Sequence, residues 1–264
     1  MIEFSHVEVT FKPKTPLEKR ALIDINFKID QGSFVTIIGS NGAGKSTLLS
    51  VLAGAILPTK GQIIINGHNI SRQSVSERAE RIACVFQDSL MGSCGALTIE
   101  ENLALATLRG HKRGFRLALT RENKEFFREK IAQLGLGLEK CMHNRMDSLS
   151  GGQRQVICLV MATLARADVL LLDEHTSALD PGMADFVMNL TEKIVKEKKL
   201  TTMMVTHSMR QALDHGDRTL MLHGGRVILD VHQEERKNLH VNDLIAMFQK
   251  VRGEALDDDE LLMD

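Results

Sequence analysis

Three short stretches of this chain carry side chains and bare backbone of the kinds that handle phosphate. The first, Gly39-Ser40-Asn41-Gly42-Ala43-Gly44-Lys45-Ser46-Thr47, has the spacing GxxxxGK[ST]. Gly39 and Gly44 let the backbone turn and approach a phosphate closely, and a helix opening after them aims unpaired N–H groups at it. Lys45 reaches the outer phosphates of a nucleotide, and the Ser46 hydroxyl suits a Mg²⁺ position. The bland alternative is a glycine-rich turn with an exposed lysine. The second stretch, Val169-Leu170-Leu171-Leu172-Asp173-Glu174, reads as a buried strand that delivers two acids to the ligand edge of a parallel sheet. Asp173 suits the Mg²⁺ shell, directly or through water, and Glu174 is placed to polarise a water attacking a γ-phosphate. Its alternative is a polar turn in which one acid caps a helix. The third, Ser150-Gly151-Gly152-Gln153, precedes a helical run over 156–165 and fits a capping box. Two glycines at a helix start also leave bare N–H groups at the positive end of the dipole, an anion site. A chain that already has one phosphate loop has use for this second site if a partner copy holds the γ-phosphate.

The elements that must position these groups follow from periodicity. Segments 3–11 and 22–29 alternate apolar and polar residues as half-buried strands do, with a turn-rich basic insertion at 12–16 between them. Segment 34–38 is continuously apolar, suits a strand buried on both faces, and feeds the glycine loop and a helix over 46–53. Further strands are expected at 61–65, 82–86, 169–172, 201–205, 219–222 and 227–231, and a helical middle over 88–162 with apolar spacing at 97–108 and 126–136. Strands alternating with helices around a strand–loop–helix phosphate site imply a mostly parallel sheet covered on both faces, with the helical middle inserted.

Composition narrows the class. Apolar residues at 43% and charged ones at 25% are an ordinary soluble balance, and a net charge of −1 provides no basic field for nucleic acid. No apolar run nears the roughly 18 residues of a membrane span, and the start lacks the basic-then-apolar pattern of a secretory signal. Cys84, Cys94, Cys141 and Cys158 have neither CxxC nor finger spacing and read as reduced packing thiols. The acidic tail at 257–260 reads as a solvated end.

Leu149-Ser150-Gly151-Gly152-Gln153, lying between the phosphate loop and the paired acids, resembles the signature of ATP-binding-cassette ATPases. Gln87 stands at the Q-loop position, where the family senses Mg²⁺, attacking water and the membrane partner. Ser177-Ala178-Leu179-Asp180 resembles the D-loop, and His207 resembles the switch histidine that contacts the γ-phosphate. The likeness runs from about residue 3 to 231. It implies an α/β fold: a RecA-like P-loop NTPase core with an N-terminal antiparallel β subdomain (1–87 and 163–231), an inserted α-helical signature subdomain (88–162) and a C-terminal extension (232–264). It implies ATP and Mg²⁺, with Ser46, Gln87 and Asp173 at the metal and Glu174, His207, Gln87 and Lys45 in hydrolysis. It also implies a head-to-tail dimer with a second ATP-binding subunit, in which Ser150, Gly151, Gly152, Gln153 and Asp180 reach the ATP of the other copy.

Two of these positions have simpler alternatives. Asp180 before Pro181 is also a good N-cap, for a helix whose apolar face reads as Met183, Phe186, Val187, Leu190 and Ile194. His207 alone would be a polar loop residue, and the other nine histidines lack ligand spacing and read as surface or turn residues.

The chain departs from the family pattern at three places. With no Tyr or Trp, Phe11 is the candidate to stack on adenine, or else simply packs at a strand end. His175 stands where the family usually has proline, beside Glu174, where it can bias that acid's pKa. This variant resembles one branch of stand-alone bacterial cassette subunits that accompany solute-binding lipoproteins and branched-chain-amino-acid-type permeases. Arg109-Gly110-His111-Lys112-Arg113-Gly114-Phe115-Arg116 is a solvated basic face, or a contact for acidic lipid or an acidic permease loop. On that second view, neutralising Lys112, Arg113 and Arg116 weakens membrane association. The function implied is the ATP-hydrolysing subunit of a membrane importer at the cytoplasmic face of the bacterial plasma membrane. Its partners would be transmembrane permease subunits and, indirectly, a solute-binding protein, with a weak bias toward amino acids as cargo. An exporter motor is the first rival, and a soluble cassette ATPase on nucleic acid or ribosomes the second.

Overall fold

The protein is represented by a computed structural model that describes residues 1–252 apart from 112, 113, 115, 116 and 237. Alternation in the first thirty residues becomes an antiparallel pair, β1 (Ile2–Phe11) with β2 (Lys19–Ile29). Ile2, Phe4, Val7 and Val9 face inward against Leu22, Ile25, Phe27 and Ile29. β4 (Lys60–Ile65) joins the other side of β1 and β5 (His68–Asn69) closes the sheet, in the order β2-β1-β4-β5.

The second sheet is formed by β3 (Phe34–Gly39), β6 (Ile82–Val85), β7 (Val169–Asp173), β8 (Thr201–Val205), β9 (Arg218–His223) and β10 (Arg226–His232), in the order β10-β9-β3-β8-β7-β6. All neighbours are parallel except the β9–β10 hairpin. β3 and β8 are buried at every position, as strands covered on both faces must be. α1 (Lys45–Ala53), α2 (Val75–Arg78), α3 (Ile99–Thr107), α4 (Arg121–Ala132), α5 (Gly151–Leu164), α6 (Pro181–Lys198), α7 (Met209–Asp214), α8 (Gln233–Arg236) and α9 (Val241–Arg252), with two short 3₁₀ helices at Leu138–Lys140 and Met146–Ser148, complete the described elements. One apolar core joins both sheets and α1; a second packs α5 and α6 under β6, β7 and β8; a third holds α3, α4 and α5 together. Because β3, β7 and β8 run parallel, Gly39, Asp173 and Val205 end at one edge.

Several expected boundaries moved, each for a local reason. Segment 88–96 is irregular, and α3 starts after Thr98, whose hydroxyl accepts from the Glu101 amide. α4 begins at Arg121 instead of 126 because the Thr120 hydroxyl caps it, and the chain leaves helix before Gly135, with φ of +70°. α5 begins at Gly151, immediately after its N-cap Ser150. The fully buried stripe of α6 is Val187, Met188, Thr191 and Val195, one step round from the face expected. Arg109 is no solvated charge: Nη1 donates to Ala162 O at 2.8 Å, and Nη2 to Ala165 O at 3.1 Å and Arg166 O at 3.2 Å, at the end of α5. Lys112, Arg113, Phe115 and Arg116, and the acidic tail, lie outside the described residues.

Candidate active site

The phosphate loop connects β3 to α1, and its glycines are required by neighbours. Gly39 has φ of +147°, and a Cβ there would lie 2.1 Å from Leu222 O. Gly44, at +104°, would place a Cβ 2.6 Å from Ala21 O. Gly44 is also the N-cap of α1 and offers no side chain to its first amides, so these N–H groups face outward as an anion site. Lys45 lies across its own loop, donating to Gly39 O at 2.6 Å and Ser40 O at 3.2 Å. Burial lowers its pKa, opposed by Glu174 and Asp173.

Ser46 Oγ donates to Asp173 Oδ1 at 3.4 Å. Burial first, and the neighbouring Glu174 second, raise the pKa of Asp173. A hydroxyl and a half-buried carboxylate converging here are oxygen donors of the kind Mg²⁺ takes, and a cation would offset both the burial of Asp173 and the repulsion from Glu174. Glu174 has φ of +47°; its amide donates to Val205 O at 3.0 Å, and its carboxylate Oε1 is 2.7 Å from His207 Nε2. The pairing of β7 with β8 makes this contact, since each residue follows the end of one of those strands.

A cavity of about 230 Å³ is lined by Phe11, residues 41–47, Glu174 and His207, with Lys19 and Ala21 from β2. Phe11 is 38% exposed, so its ring is open to a ligand. Gly39 and Ser40 join through Lys45, and Asp173 through Ser46. Gln87 does not line this cavity; its Nε2 donates to Ser177 Oγ at 3.2 Å, and Ser177 Oγ donates to Glu174 O at 2.9 Å.

Ser150, Gly151, Gly152, Gln153 and Asp180 lie outside the lining too, and gather elsewhere. Gln153 N donates to Ser150 Oγ at 3.2 Å and Ser150 N to Gln153 Oε1 at 3.1 Å. Gly151 faces open space, whereas a Cβ on Gly152 would fall 2.4 Å from Met183 Cγ. The Met183 amide in turn donates to Asp180 Oδ1 at 3.1 Å. The signature glycines and Asp180 therefore adjoin.

Sequence reasoning missed the groups that tie these parts together. Arg154 Nε donates to Ser89 Oγ at 2.9 Å, and Gln155 Nε2 to Phe86 O at 3.1 Å, so α5 grips the segment around Gln87. The available signal was three polar residues, Gln153, Arg154 and Gln155, opening an otherwise largely apolar helix. His175 needs a correction: it is buried, not a surface residue, and its Nε2 lies 3.1 Å from Thr191 Oγ1 on α6. Burial, aided by His215, lowers its pKa to about 4 and keeps it neutral, so it offers Glu174 no positive charge.

These features define a nucleotide-binding α/β ATPase of the cassette type. The chain belongs to the ABC transporter family, whose model matches residues 22–177. It is 42% identical over 226 residues to a tyrosine transport ATP-binding protein of Clostridioides difficile, covering 86% of this chain and 90% of that one. It is 31% identical over 231 residues to the energy-coupling factor transporter ATP-binding protein EcfA2 of Enterococcus faecalis, covering 86% and 77%, and 34% identical over 205 residues to the thiamine import ATP-binding protein ThiQ of Yersinia pestis, covering 78% and 82%. The ATP-binding cassette MJ0796, solved as a dimer in a post-hydrolysis state with ADP and phosphate, superposes with a TM-score of 0.76 at 27% identity, covering 88% of this chain and 99% of that one. The protein is thus an ATP-binding and ATP-hydrolysing transporter subunit with the expected RecA-like core, antiparallel β sheet and helical insertion.

Proposed function

We propose that this cassette powers solute import through transmembrane permease subunits, acting as a head-to-tail dimer on the cytoplasmic face of the membrane. The observation that carries the catalytic assignment is the Glu174–His207 contact of 2.7 Å at the rim of the phosphate cavity. Lys45 and the α1 amides hold the phosphates, and Phe11 takes the adenine face. Mg²⁺ held by Ser46, Asp173 and, from the family pattern, Gln87, which is linked to the Glu174 turn through Ser177, would supply charge neutralisation at the phosphate oxygens. Glu174 accepts a proton from the attacking water, and His207 keeps its carboxylate pointed into the cavity. Ser150 to Gln153 and Asp180 adjoin outside their own chain's cavity, a placement that suits the ATP of a second copy.

Several further assignments rest on this reading. The roles named for the relatives support import and favour a small solute, an amino acid among them. No helix of the described residues is long and apolar enough to cross a membrane, which fits an ATPase docked on separate permease subunits. Segment 88–162 is the arm that meets the permease, with 1–87 and 163–231 the catalytic body and 232–264 an extension. The test is Glu174→Gln: it binds ATP, loses at least about a hundredfold in turnover, and accumulates as a dimer by size exclusion with ATP. Ordinary turnover in that variant removes Glu174 from the mechanism.

A further inference from the structure

The turn that carries Glu174 is held from several sides. A left-handed backbone, such as Glu174 has at φ of +47°, is unfavourable for a non-glycine residue and persists only where neighbours over-determine it. The Glu174 amide donates to Val205 O at 3.0 Å, and its carbonyl accepts from Ser177 N at 3.1 Å and Ser177 Oγ at 2.9 Å. Those bonds tie the turn to β8 and to itself. The next residue reaches a different element, since His175 Nε2 meets Thr191 Oγ1 of α6 at 3.1 Å.

The direction of that bond can be assigned. Thr191 donates its one hydroxyl proton to Val187 O at 2.8 Å, so toward His175 it is the acceptor and the imidazole Nε2–H is the donor. His175 is 2% exposed and Thr191 0%. Thr191 stands in the buried stripe of α6 with Val187, Met188 and Val195, where an apolar pair would pack without any polar group to satisfy. What a buried hydrogen bond adds over such a pair is a fixed direction and register. α6 is also the helix that Asp180 caps.

We propose that His175 is a positioning residue: through Thr191 it fixes the Glu174 turn to α6, so that the carboxylate is aimed at the phosphates while that helix is seated. This rests on Glu174 as the base assigned above. Asp180, one of the groups assigned to the partner's ATP, then shares one rigid connection with the base of its own site.

The experiment is steady-state ATP hydrolysis by the full chain, below the melting temperature of every variant. Thr191→Val keeps the shape and removes the acceptor; it lowers kcat about tenfold and leaves KM for ATP unchanged. His175→Met does the same, and combining the two adds no further loss. Thr191→Ser and His175→Gln, which preserve the acceptor and a donor at a comparable reach, recover most of the turnover. If Thr191→Val does not fold, His175→Gln against the shorter His175→Asn carries the same comparison. Glu174→Gln, run in parallel, separates the two ideas. Turnover retained there defeats the assignment of the base. Turnover lost there but normal in Thr191→Val, or a loss in Thr191→Val matched by a rise in KM, refutes the positioning role.

Discussion

Replacing Ser150 by alanine and by aspartate separates the two things this residue can do. Its hydroxyl accepts from the Gln153 amide at 3.2 Å, and Gln153 Oε1 accepts from the Ser150 amide at 3.1 Å. Alanine removes the first bond at an exposed helix start, which costs about 1 kcal/mol and lowers Tm by about 2–4 °C for a chain of this size. Aspartate caps a helix as well as serine does, so Ser150→Asp melts like the natural protein. Function has the opposite order. In the proposed head-to-tail dimer a carboxylate at this helix start would face the triphosphate brought by the partner copy, and unit charges about 4 Å apart near a surface repel by about 4 kcal/mol. That is nearly three orders of magnitude in ATP-driven dimerisation and turnover. The serine protein should therefore exceed Ser150→Ala, and Ser150→Ala should exceed Ser150→Asp, in ATP hydrolysis, while Ser150→Ala alone loses Tm. The assay pairs differential scanning calorimetry with phosphate release across protein concentration. If activity simply follows Tm across the three proteins, Ser150 is a helix cap and the anion role is wrong.

Three other outcomes follow from burial and close approach. Burial pushes the Cys84 and Cys158 thiols up to about 11, from 9.0 in the unfolded chain. Folded thiols thus stay protonated where unfolded ones ionise, and their contribution to stability is present below pH 9 and lost as pH rises toward 11; urea midpoints across that range, compared with those of Cys158→Ala, measure it. At pH 8 iodoacetamide should label the exposed Cys94 well before Cys158, and equal rates by mass spectrometry would contradict that burial. Gly39→Ala forces a Cβ to 2.1 Å from Leu222 O at a φ of +147°, and should cost about 3 kcal/mol or more in urea unfolding, because the clash is with backbone that cannot swing away. A loss under about 1 kcal/mol would mean that β3 and β9 part readily.

What was legible before any coordinates were groups whose chemistry depends on neighbours in sequence. The phosphate loop is one continuous turn into a helix, so glycine spacing, Lys45 and Ser46 declare it. β7 is a run of apolar residues and β3 one broken only by Thr36, long enough to mark strands buried on both faces, whereas β8 opens on two threonines; the ends of β3 and β7 already carry the loop and the two acids. The capping box at Ser150 is likewise readable, since both partners lie within one turn of helix. What only the tertiary structure decided were contacts between distant segments. Whether Glu174 meets His207 depends on β7 and β8 being neighbours, and strand order leaves no local trace. Arg154 and Gln155 reach back to Ser89 and Phe86 across more than sixty residues. Arg109, in a basic run that looked solvated, donates from both terminal nitrogens to carbonyls at the end of α5. His175 beside two acids looked like an electrostatic partner for Glu174, yet its ring turns into the core toward Thr191. Periodicity states how much of an element is buried, but which polar side chain in a buried stripe finds its partner is settled only when two elements pack.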